Sequence, residues 1–112
     1  MVVAFFDKSI EEFVEGFEKP IRSRIARTIM LLERFGNRIT MPYSKNVEHN
    51  LFELRTMGNP AIRIFYTFHG SCAVLLCGYI KKYQKIPRKE FLLAIKKLHL
   101  LTEYNVNVIF RT

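Results

Sequence analysis

Five cations crowd into nine residues, Lys81, Lys82, Lys85, Arg88 and Lys89, directly after the most apolar stretch of the chain. That stretch, CAVLLCGYI (72–80), reads as a buried strand, so the cations gather where it surfaces, beside a helix that Pro87 opens. Helix N-termini favour anions, and five added cations make the place a natural phosphate cradle. A solvated basic loop would have the same composition, but Pro87 and the tyrosines stiffen this one. A lysine crowded by like charges is pushed toward its neutral form. Lys82 or Lys85 thereby becomes usable as an acid or base near neutral pH, and Glu90 is a base or a group that orients a lysine.

Arg55 and Arg63 are the second signal. Each sits inside a strand-like run, LFELRT or AIRIFYTF, where packing would prefer an apolar side chain. Ile62, Ile64, Tyr66 and Phe68 share one face of the second run, and Arg63, Phe65 and Thr67 share the other. With helices on the Ile face, the Arg face should be open, and Arg55 of the neighbouring strand can join it. A guanidinium fork holds two phosphate oxygens at once. An ion pair with Glu53 competes, equally for Arg55 and less for Arg63. On an open face, truncating Arg63 should cost within about 1 kcal/mol. Of the aromatics nearby, Phe65, Tyr66 and Tyr79 belong with a core, and Tyr83 is the candidate for stacking a base.

Metal-independent RNA cleavage needs a base for the 2′-OH proton, cations for the phosphorane and an acid for the leaving 5′-oxygen. The catalytic candidates are Arg63, Lys82, Lys85 and Glu90; the RNA-binding candidates are Arg55, Lys81, Tyr83, Arg88 and Lys89. None of these residues is diagnostic alone, and the case is collective.

The elements that must position them follow from periodicity. Val2 to Phe6 is a short strand. Asp7 or Ser9 caps a helix whose stripe is Ile10, Phe13, Val14 and Phe17. Pro20 suits the first turn of a second helix, with Ile21, Ile25, Ile29, Leu32 and Phe35 along one side and Gly36-Asn37 as its cap. Residues 37–50 have no period and read as a loop. From residue 51 the period is two, giving three strands with turns at MGNP (57–60) and at His69-Gly70-Ser71. A third helix runs from about Pro87 to Tyr104, with Phe91, Ile95, Leu98 and Leu101 inward. The tail NVNVIFRT is an edge strand or disordered. The order β-α-α-β-β-β-α gives an α+β fold, a twisted, mainly antiparallel sheet with helices packed on one face. Residues 1–104 form a single domain and 105–112 a C-terminal tail.

Composition narrows the class. The 112 residues carry 18 Lys and Arg against 10 Asp and Glu, a net charge of +8. A domain this basic usually meets a polyanion. Cys72 and Cys77, on opposite faces of one strand, cannot bridge and imply free thiols in a reducing compartment. His49, His69 and His99 are too scattered for a metal site, and no Cys-x-x-Cys pair exists. MVVAFFDKSIEEF lacks the basic start and long apolar core of a signal peptide, and no apolar run reaches membrane-spanning length. A cytoplasmic protein without metal or small-molecule cofactor is expected.

The stretches ELRTMGNPAIRIFYTF (53–68) and LLCGYIKKYQKIPRKEFLLAIKKL (75–98) resemble the phage-derived, HigB-like branch of the RelE superfamily of toxins. The shared pattern is E-L-R, a Gly-bearing turn, an R-x-x-Y strand, an apolar strand, then K-K-x-x-K-x-P-x-x-E opening the last helix. The resemblance implies a RelE-like fold and the toxin of a type II toxin-antitoxin system. It implies a ribosome-dependent mRNA endoribonuclease, silenced by a cognate antitoxin, often of helix-turn-helix type and encoded next door. It makes Arg63 the central phosphate-binding arginine and Lys82 the second catalytic cation. This chain departs from the pattern at Leu51 and Glu53, where RelE has lysines. Phe91 stands where RelE has a catalytic Tyr, and the C-terminal histidine of HigB-type toxins has no clear counterpart. Two other readings stand beside it: a ParE-like toxin of the same fold directed at gyrase, and a non-catalytic RNA- or ribosome-binding module.

Overall fold

A computed structural model describes residues 1–111. The elements are β1 (Val2–Phe5), α1 (Lys8–Glu15), α2 (Lys19–Phe35), β2 (Ser44–Glu48), β3 (Leu51–Arg55), β4 (Ile62–His69), β5 (Cys72–Ile80), α3 (Arg88–Glu103) and β6 (Ile109–Phe110), with a 3-10 turn at Gly36–Arg38. The sheet order is β2-β3-β4-β5-β1-β6. β1 runs parallel to β5, and every other pair is antiparallel. The fold is α+β and consistent with the RelE-like fold.

Asp7 is the residue that caps α1, its carboxylate accepting from the Ile10 amide at 3.2 Å. Pro20 sits in the first turn of α2, where its missing N–H costs nothing. Gly36 ends that helix at positive φ, a conformation glycine adopts freely. The stripes of α1 and α2 then close on the Ile face of the sheet. Ile10, Val14, Ile25, Ile29 and Leu32 meet Ile62, Ile64 and Tyr66 of β4 and Leu75 of β5. Each such buried side chain contributes about 1.5–3 kcal/mol, so burying this face fixes the strand parity and places Arg63 on the other.

The helices do not all lie on one face. α3 packs on the Arg63 side, where Ala94, Leu98 and Leu101 cover Phe65, Val74 and Leu76. The expectation of a single helical face fails because β4 and β5 are apolar on both sides. Both faces therefore need cover.

Two further differences concern edges. Residues 37–50 contain β2, which pairs with β3 and is tied to the core by a 2.6 Å hydrogen bond between Ser44 Oγ and Tyr66 Oη. Its SKNVE sequence faces solvent at most positions, so no apolar period announces it. The tail forms β6 against β1, with Arg111 paired to Glu33 at 2.8 Å. Its last residue, Thr112, lies outside the described residues.

Candidate functional site

Strand pairing places Arg55 opposite Arg63, and Arg63 opposite Tyr79. The three side chains form a row across β3, β4 and β5 on the face that α3 covers further along. Glu53 lies one step inward, opposite Phe65. Its Oε1 is 3.0 Å from Arg55 Nε and 3.9 Å from Arg63 Nε, and its Oε2 accepts the Tyr79 hydroxyl at 2.6 Å. One carboxylate thus serves two guanidinium groups and a phenol, leaving the cluster with net positive charge.

The Arg face is not open. Arg63 is only 8% exposed and Glu53 2%. Arg63 Nη1 donates to the Thr56 and Ile62 carbonyls, each at 3.3 Å. The expectation of an open face on which truncating Arg63 costs little is therefore corrected: Glu53, Tyr79 and the Thr56 and Ile62 carbonyls close around it. The Arg63 Nη2 group makes no hydrogen bond among the described residues, yet no buried side-chain nitrogen or oxygen there lacks a partner. The side chain as a whole is 10% exposed, so little of the fork reaches the surface. Burial, reinforced by the charge of Arg55, lowers the Arg63 pKa, while Glu53 and Tyr79 act against that shift. An arginine stays protonated at neutral pH all the same. Burial and the hydrogen bond to Glu53 raise the Tyr79 pKa, so Tyr79 is a phenol that orients the carboxylate.

Tyr79 reaches this row because of a β-bulge, which residue spacing alone does not disclose. The β4–β5 register pairs Tyr66 with Leu75 but Phe65 with Cys77, leaving Leu76 unpaired. Without the extra residue, Gly78 would face Arg63, and Tyr79 would point to the α1 side. The bulge instead sets Gly78 opposite Ile64, where any added Cβ would lie 2.6 Å from the Phe13 ring. It also brings Cys72 and Cys77 to the same face, correcting the expectation of opposite ones. Both thiols are free. Burial pushes the Cys77 thiol up to about 12.

A buried lysine holds the bulge. Lys97 of α3, 6% exposed, donates from Nζ to the Leu76 carbonyl at 2.8 Å and pairs with Asp7 at 3.2 Å. Sequence reading passed over Lys97. Its place in α3 between Ala94 and Leu101, on the inward stripe, was the available signal.

The basic segment forms a second region. The Lys81 amide extends the β4–β5 ladder to the Ala61 carbonyl at 2.9 Å. Beyond it Lys82, Tyr83, Gln84 and Lys85 are exposed, Tyr83 at 75%. Lys81, Lys82, Tyr83 and Gln84 line a shallow depression of about 390 Å³. Arg88 and Lys89 stand exposed in the first turn of α3. Glu90 is half-buried, and its carbonyl accepts the Cys77 thiol at 3.5 Å. Among the described residues, the Glu90 carboxylate makes no hydrogen bond or ion pair with Arg55 or Arg63. The fold thus brings together Arg55 and Arg63, adds Glu53 and Tyr79, and leaves Lys82 and Lys85 exposed beyond the end of β5.

Fold and charge together define a small basic α+β domain of RelE-like type. The chain belongs to the family described as Phage derived protein Gp49-like (DUF891), a RelE-toxin-like family, which matches residues 12–99. The matched span includes Arg55, Arg63 and the whole basic segment. No curated protein matches the chain. Among the described residues no helix is long and apolar enough to cross a membrane.

Proposed function

We propose that this protein is the toxin of a type II toxin-antitoxin system of the HigB-like branch, and that it cleaves mRNA on the ribosome. It acts in the cytoplasm, without metal or cofactor, and a cognate antitoxin silences it. The observation that carries the reading is the adjacent Arg55–Arg63 pair, held by one buried carboxylate. Membership of a RelE-toxin-like family supports it.

In this reading Arg63 and Arg55 hold the scissile phosphate, and their charge stabilises the phosphorane that develops. The 2′-oxygen attacks phosphorus as its proton passes to a base. The P–O5′ bond breaks, and the leaving oxygen takes a proton. The products are a 2′,3′-cyclic phosphate and a 5′-hydroxyl end. Lys82 and Lys85 supply the proton-transfer groups from the exposed flank, with Glu90 orienting them. Lys81, Tyr83, Arg88 and Lys89 hold the flanking backbone and one base.

Primer extension on a translated message after brief expression tests this. Growth arrest with cuts in register with codons, relieved by co-expressing the neighbouring gene, is the expected result. Arrest with induced DNA breaks and intact message would instead assign a gyrase-directed toxin. Ribosome association without cuts would assign a binding module.

A further inference from the structure

The outer face of α2 carries a feature that neither the sheet nor the arginine row uses. Met30, Leu31, Tyr43 and Met57 floor a groove of about 860 Å³. Arg24, Arg27 and Arg34 rim it, so Arg27, Met30, Leu31 and Arg34 fall at i, i+3, i+4 and i+7 along one helical stripe. Met30 is 57% exposed and Met57 46%, an unusual outlay of thioether surface to water. Methionine side chains adapt to varied apolar shapes, as in grooves that receive amphipathic helices.

The groove is preformed. Arg24 donates to the Met57 and Asn59 carbonyls at 3.1 and 3.2 Å, fixing the β3–β4 turn as one wall. Gly58, at φ +102°, gives that guanidinium room, since an added Cβ would collide with Arg24 Nη1. Glu33 is the one acidic lining residue, and Arg111 already engages its carboxylate. The rim therefore presents positive charge around an apolar floor.

We propose that this groove docks an acidic amphipathic helix of a partner protein. A second copy of this chain does not suit, because arginines would face arginines in a molecule already at +8. A nucleic acid would satisfy the rim but would bury phosphates and bases against methionine and leucine. α2 spans 17 residues, about 25 Å, so a helix of some four turns can lie along it. α2 packs on the sheet face opposite the arginine row, so the docked helix leaves Arg55 and Arg63 uncovered. Only the identity of the partner, an antitoxin, rests on the toxin reading; the surface does not.

The test is fluorescence anisotropy on the full chain with a labelled peptide of about 16 residues, leucines at i, i+3, i+4 and i+7 and glutamates on the flanks. The comparators are the same peptide with lysine for glutamate and a single-stranded RNA oligonucleotide. The glutamate peptide should bind at least about tenfold more tightly than the lysine peptide. Met30→Asp, and Arg27→Glu with Arg34→Glu, should each weaken it by about tenfold or more while the thermal melt stays unchanged. Lys82→Ala should leave peptide binding as it was, and RNA should not displace the peptide. Equal binding of the two peptides, no binding, indifference to the groove substitutions, or displacement by RNA would each overturn the proposal. A protein that proves non-toxic yet binds the glutamate peptide in this way would sink the toxin reading alone.

Discussion

Arg63 is buried with two carbonyls and a carboxylate around it, so its substitution has a structural as well as a chemical consequence. Arg63→Ala leaves Glu53 with one guanidinium fewer, and we expect a loss of about 2–3 kcal/mol in urea melts. Arg63→Lys keeps the charge without the fork and should recover much of that stability with little activity. The side on which Arg63 lies was legible from strand parity, and so was its pairing with Arg55. Its burial was not, because it depends on Glu53, Tyr79 and the Thr56 carbonyl meeting around it across three strands. Cys77 supplies a pH prediction. Its folded pKa is raised, so above the ordinary thiol value the unfolded chain releases a proton that the folded chain retains. Stability therefore falls as pH rises from about 9 toward 12, by at most about 1.4 kcal/mol per pH unit. Cys77→Ala should show a shallower alkaline decline in denaturant melts between pH 9 and 10.5, set against its own value at pH 7; parallel declines would contradict the assignment.

The elements read most directly from sequence are those with a full apolar stripe: α1, α2, β4, β5 and α3. What escaped is what lacks a stripe or breaks a period. β2 is an edge strand with one buried residue, Ser44, and a solvated edge carries no alternation to find. The bulge at Leu76 shifts strand parity by one, so Tyr79, which does pack against Phe65, also joins the arginine row, a placement that residue spacing alone does not disclose. Lys97 is the device that stabilises this shift, since its ammonium occupies the carbonyl of the unpaired residue. Lys97→Ala should cost about 2–3 kcal/mol by urea denaturation. It should also lower activity beyond what the folded fraction explains, as Tyr79 and Glu53 lose their register. Lys97→Ala with full activity per folded molecule would show that the bulge persists without its lysine.

At the scale of the whole molecule, two layers of helix sandwich a sheet that holds Arg63 buried between the half-buried Arg55 and Tyr79, with exposed lysines beyond the end of β5. A net charge of +8 for the chain, with five cations at 81–89, should make RNA affinity electrostatic. With about 4–6 phosphates contacted, binding to an RNA oligonucleotide should fall by orders of magnitude from low to physiological salt; a flat dependence would remove the basic segment from the interface. The net charge and the cluster at 81–89 were plain in the sequence. The division between a buried arginine row and an exposed lysine flank needed the third dimension. The most direct measurement is single-turnover cleavage of a translated message by the wild-type protein and by Arg63→Ala, each normalised to its folded fraction by circular dichroism. Arg63→Ala should be slower by about 10²–10³ at equal folded concentration, with cuts at the same codon positions. Equal rates for the two folded proteins would contradict it, and Arg63 would then serve only to hold Glu53 and the turn after Thr56.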